Sequence, residues 1–173
     1  NHSRKGYIKV IPDPALQTPE KASVLRVNNL LYQLNSISHI LLSLLKSENP
    51  GTIIQQILRD ILKQFKAGRT YIFEYDYERE TQSCTYEVVN ENVSKEQELL
   101  TDLPLCMNRW WTGQIQAGNS IILSSLDELP PEAEDEKHFL EIQDINSLIV
   151  VPLVARTGVW GYAGIDIVDG FYN

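Results

Sequence analysis

Cysteine is scarce in this chain: only Cys84 and Cys106 occur in 173 residues, and neither falls in a CxxC or Cys/His ligand spacing. That excludes a disulfide framework and gives no indication of a zinc site, so a reducing cytosol is the expected compartment, although the parent protein could be attached to a membrane. Positive charge is short as well. With a formal net charge of -8 and no Lys/Arg cluster of useful length, the chain lacks the basic footprint that a nucleic acid or an anionic bilayer requires. The longest apolar run, Leu148 to Ala155, is broken by Pro152 and is too short to cross a bilayer, and no signal-peptide pattern opens the chain. Catalytic signatures are missing too: there is no Walker loop, no GxSxG elbow, no HExxH helix and no kinase phosphoacceptor or nucleotide box. The three histidines, His2, His39 and His138, lie far apart, and no metal site is expected.

What is present is the composition of one globular core, 43% hydrophobic and 22% charged. Residues 1–19 carry Pro12, Pro14 and Pro19 and read as an extended lead-in. From Glu20 to about Ser47 neither proline nor glycine occurs, and Val27, Leu30, Leu34, Ile37, Leu41 and Leu44 recur at alternating steps of three and four, the seam of a coiled coil. Leu31, Ile40 and Leu45 widen that stripe toward the broader face of a bundle helix. These residues are the expected homodimer contact; the alternative is a helix packed only on its own domain.

Residues 48–173 form the expected main domain. Asn49-Pro50 starts a second helix, with Ile53, Ile54, Ile57, Leu58, Ile61, Leu62 and Phe65 on one face, ended by Ala67-Gly68. Arg69 to Asp76 and Thr81 to Asn90 read as a hairpin about the polar turn 77–80. A polar stretch leads to a short helix over Met107 to Ala117, stopped by Gly118, and then to a short strand over Ser120 to Ser124. The acidic run from Asp127 to Asp144 reads as a helix with a solvated face and Phe139, Leu140 and Ile142 on one side; strands over Ser147 to Ala155 and Val159 to Val168 close a second hairpin. The chain stops just after that strand without a closing helix, as a piece cut from a longer protein would.

The order of elements, together with RTYIFEYD (Arg69 to Asp76) and INSLIVVPLVARTGVWGYAGID (Ile145 to Asp166), resembles the GAF domain over residues 50–168. The resemblance implies an α+β fold, a GAF-like α/β/α sandwich with a central antiparallel sheet of five to six strands, here preceded by a long N-terminal helix. It also implies a non-catalytic sensory module, of the kind found in bacterial sensor histidine kinases, that binds a small molecule and signals to an output kinase domain. No cofactor is specified. The cyclic-nucleotide signature of some members is not matched, and neither is bilin attachment, since Met107 rather than histidine follows Cys106 and Thr85 follows Cys84. A catalytic relative, the GAF-fold methionine sulfoxide reductases, would need clustered reactive cysteines.

The ligand face implied by the resemblance lies away from the long helices, closed by Cys106 to Trp111 and by the segment around His138 and Phe139. Candidate ligand contacts are Tyr71, Phe73, Cys106, Arg109, Trp110, Trp111, His138, Phe139, Tyr162 and Asp166. Each has an ordinary structural role beside the functional one. Adjacent tryptophans on a helix point about a hundred degrees apart, so at most one is fully buried, and core packing would satisfy it. Arg109 would pair with any nearby acid, and His138 would be solvated. Cys106 is a candidate redox sensor. Gly161 and Gly164 either open a cavity or only relieve twist and packing. A runner-up function follows: a ligand-free dimerisation or interaction module.

Overall fold

The computed structural model describes residues 49–168, so the lead-in, the seam helix and its dimer contacts (Val27, Leu30, Leu34, Ile37, Leu41, Leu44) lie outside the described residues. Helix α1 (Pro50–Phe65) starts where expected: Asn49 Oδ1 accepts from the Thr52 amide at 3.4 Å and Pro50 occupies the first turn, where its missing N–H costs nothing. It ends two residues early. Lys66 takes the left-handed conformation (φ 51°), and its amide and that of Ala67 return to carbonyls of the last turn, so glycine is not needed to stop the helix.

Strands β1 (Arg69–Asp76) and β2 (Thr81–Val89) form the first hairpin, and β5 (Ile145–Ala155) and β6 (Gly158–Val168) the second. Between them lie β3 (Leu103–Pro104), a 3-10 turn over Leu105–Asn108, α2 (Arg109–Gln116), β4 (Ile121–Leu123), 3-10 turns over Leu126–Glu128 and Pro131–Ala133, and α3 (Glu134–Ile142). The expected helix from Met107 is thus a 3-10 turn followed by an α-helix, stopped at Gly118 with φ +82°. The acidic helix occupies only the end of its run, and Ile142 faces solvent.

All strand pairs are antiparallel, in the order β3-β2-β1-β6-β5-β4. The sixth strand, β3, is two residues long and has no sequence signal. Side chains alternate between the faces. Thr70, fully buried, points to one face, where its Oγ1 donates to the Leu58 carbonyl of α1 at 3.0 Å; α1 packs there over β1 and β2 through Leu58 and Leu62. Tyr71 and Phe73 point to the other face, into a core closed by α2 and α3 with Trp111, Ile115, Leu140, Leu148, Val150 and Tyr162. Burying each of these large side chains contributes roughly 1.5–3 kcal/mol. Helices on both faces of an antiparallel sheet make the expected α/β/α arrangement. No helix among the described residues is long and apolar enough to cross a membrane.

Candidate functional site

The register of β1 against β6 assembles the site. Phe73 lies opposite Tyr162, Tyr71 opposite Gly164 and Arg69 opposite Asp166, so the two alternating sets share one face. On the other side of β1, a bulge displaces the register of β2: Phe73 faces Cys84 and Ile72 faces Tyr86, with Thr85 the extra residue. The bulge returns Glu87 to the same face as Cys84 and Gln82, opposite Tyr71.

Three ionisable side chains are thereby packed together out of water, with Arg69 3%, Glu87 4% and Asp166 2% exposed. Arg69 Nε lies 3.1 Å from Glu87 Oε1 and its Nη1 lies 3.7 Å from Asp166 Oδ2. Arg69 also donates to Gln143 Oε1 at 2.6 Å and to the Ser94 carbonyl at 3.2 Å, which ties the end of α3 and the loop after β2 to the sheet. Glu87 Oε2 accepts from the amides of Glu96 and Gln97, both at 2.9 Å. Breaking such a buried pair costs about 3–5 kcal/mol because the remaining charge is left uncompensated. Asp166 Oδ1 accepts from the Tyr71 hydroxyl at 2.9 Å. Burial pushes the Asp166 carboxyl up to about 7, against the opposing pull of Arg69 and of the Tyr71 hydrogen bond.

Beside this cluster a cavity of ≈ 60 Å³ opens between the sheet, α2 and α3. One part of its wall is aromatic: the rings of Phe73 and Tyr162 stack at 4.9 Å, Tyr71 stands edge-on to both, and Trp111 lies 6.3 Å from Tyr162. The Tyr162 hydroxyl donates to the buried Gln82 Oε1 at 3.0 Å. Glu136, 5% exposed in the middle of the acidic run, aims inward and accepts from the Trp110 and Trp111 amides at 3.0 and 3.3 Å. A carboxylate there meets the positive end of α2 and holds that helix over the cavity. Its burial corrects the expectation that this run is only a solvated face.

Of the candidate contacts, Tyr71, Phe73, Trp111, Phe139, Tyr162 and Asp166 line the cavity. The others do not. Trp110 is half-buried against the edge of the core. Arg109 and Cys106 point into a separate open groove beside Tyr77 and Arg79, because the helical turn that brings Trp111 inward turns them out. His138 is exposed on α3, 4.0 Å from Glu141. Sequence reasoning missed Arg69, Glu87, Gln82 and Glu136; an arginine at the head of an apolar strand was the available signal. Gly164 and Gly161 resolve to packing. A Cβ at Gly164 would meet the Tyr71 ring at 2.2 Å and one at Gly161 the Phe73 carbonyl oxygen at 2.0 Å, so the groups that approach are the protein's own. Cys84 lines the cavity, but burial pushes its thiol up to about 12, which leaves it a small apolar wall group. Among the described residues no group of His, Cys, Asp and Glu is placed to hold a metal ion.

No family model matches the sequence, and no curated protein matches it. Solved structures do match in shape. The photoproduct state of GAF3 from Slr1393 of Synechocystis is 13% identical, with 68% of this chain and 75% of that chain covered at a TM-score of 0.56. The blue-light absorbing form of the PixJ GAF domain from Thermosynechococcus elongatus is 14% identical over 69% of both chains, at 0.56. The chromophore-binding domain of the Stigmatella aurantiaca bacteriophytochrome is 12% identical at 0.60; this chain spans about half of its length (51%) and is itself covered over 79%. At such identities what is shared is the backbone plan, and residues 49–168 have the fold of a GAF domain.

Proposed function

We propose that this chain is a non-catalytic sensory domain of a larger signal-transduction protein, a bacterial sensor histidine kinase, which binds a small ligand on the α2/α3 face of its sheet and relays the change through a dimer of the helix over residues 20–47. The carrying observation is the cavity with its buried Arg69–Glu87–Asp166 group. Buried charge is costly, and here it borders a partly open cavity lined by aromatic and aliphatic side chains with a few polar groups, a composition suited to holding a small molecule. The ligand we propose is not a bilin, although the structurally similar JSC1_58120g3 has biliverdin bound. Pockets for ligands of that class run to about 300–1,000 Å³, the cavity measures ≈ 60 Å³, and Cys106 lies outside it.

The same small volume favours a second reading, a ligand-free interaction module whose pocket is filled by its own side chains. Native mass spectrometry of protein purified without additives, with a thermal-shift screen of small metabolites, separates the two. A retained adduct, or a compound class that raises the melting temperature saturably, supports the sensor; neither appearing overturns it. Sedimentation of the full chain at tens of micromolar, roughly where a modest interface would be half-formed, tests the dimer. A dimer that Leu34→Glu with Leu41→Glu converts to monomer supports the helical relay, and a monomeric unmodified chain overturns it.

A further inference from the structure

The charges around the cavity do not balance, and the imbalance has a direction. One guanidinium, Arg69, faces two carboxylates, Glu87 and Asp166; it donates to Gln143 and Ser94, its Nε lies 3.1 Å from Glu87 and its Nη1 3.7 Å from Asp166, so it is turned toward acceptors of this chain. Glu136, the third acid at the wall, is committed to the amides of α2. Asp166 is the surplus group: Oδ1 has the Tyr71 hydroxyl, while Oδ2 has only the Arg69 contact at 3.7 Å. Arg69 Nε and Glu87 Oε1, though 3.1 Å apart, are buried without an aligned hydrogen bond. Buried polar atoms of this kind call for a partner.

Tyr71 touches that surplus carboxylate, and Phe73, Trp111 and Tyr162 line the same cavity. The π-faces of aromatic rings attract cations. Building on the sensory reading, we infer that the cavity takes a small organic ammonium ion, its charged nitrogen on Asp166 and its carbon atoms against the aromatic walls. Size sets the class. A water needs about 10–15 Å³ of such space, so ≈ 60 Å³ accepts a group of a few non-hydrogen atoms, such as methylammonium or ethylammonium.

The groups facing Asp166 are Arg69 and Tyr71 from β1, Glu87 and Cys84 from β2 and Tyr162 from its own strand. With no ligand, burial holds the Asp166 carboxyl at about 7. A bound cation favours the ionised form, so affinity rises as pH rises through that value.

The test is calorimetric titration of the full chain with ethylammonium, ethanol and acetate at pH 8 and pH 6. Saturable binding of ethylammonium near millimolar, at least tenfold weaker for ethanol and for acetate and about tenfold weaker at pH 6, supports the assignment. An Asp166→Asn variant that keeps its near-ultraviolet dichroism and loses the preference for amine over alcohol supports it further. If that variant does not fold, the comparison of the three probes on the unmodified chain decides alone. Ethanol binding as well as ethylammonium, or acetate binding better, overturns the inference. If no amine binds but the mass and thermal-shift screen finds a neutral or anionic ligand, the inference falls and the sensory reading stands. If neither experiment finds any ligand, both fall.

Discussion

The Tyr71 hydroxyl reaches Asp166 Oδ1, at 2.9 Å, because the ring passes over a position with no side chain: a Cβ at Gly164 would lie 2.2 Å from it. Gly164→Ala therefore forces the ring away from the carboxylate. Overpacking of this kind costs about 1–3 kcal/mol, to be read as a lowered urea midpoint at unchanged slope. A variant with the unmodified midpoint would mean that the ring has another place to go.

Asp166 makes stability depend on pH in the sense opposite to a salt-bridged surface carboxylate. Its folded value, raised by burial to about 7, lies above the roughly 3.9 of an unfolded aspartate. Between those limits the folded chain holds the proton that the unfolded chain releases, so this group's contribution is largest below about pH 4 and declines until about pH 7, beyond which it is level. Denaturant unfolding across pH 4 to 8 should show that decline, and Asp166→Asn should flatten it. An unchanged slope in the variant would show that another group is responsible.

Glu136 binds two amides at the start of α2, so its replacement separates charge from hydrogen bonding. Glu136→Ala should cost about 1–2 kcal/mol, as the loss of a helix cap does, and should weaken the near-ultraviolet signal of Trp111. Glu136→Gln keeps an acceptor and should lose less. Equal losses would mean that charge at the helix end dominates.

The two cysteines differ sharply in access. Cys106 is exposed, whereas Cys84 is buried and its thiol is pushed up to about 12. An aromatic disulfide reagent at pH 8 should modify one thiol in the native chain, abolished by Cys106→Ser, and a second only after unfolding. Two native equivalents would contradict the packing around Cys84.

Alternation made β1 and β6 legible in the sequence, because Tyr71, Phe73 and Tyr75 recur at every second position beside polar or aliphatic neighbours. That both sets face the same side is a matter of register, which no single strand carries. Glu87 was hidden by the bulge: Cys84 and Glu87 are three residues apart and would fall on opposite faces of a regular strand. Glu136 was hidden by its neighbours, since Glu134 and Asp135 are exposed and only the packing of α3 against α2 distinguishes the third acid from them. The two-residue β3 lies below the length at which periodicity exists.

Thr70 and Tyr71 are neighbours on one strand with opposite allegiances. The first is bonded to the backbone of α1 at Leu58 and the second to the carboxylate at the cavity. The wall that separates the two sides of the domain is thus one peptide thick. The Tyr71 ring at the cavity and the Thr70 hydroxyl that holds α1 at the Leu58 carbonyl therefore hang from adjacent residues of β1, so that displacing either one loads the same short piece of strand.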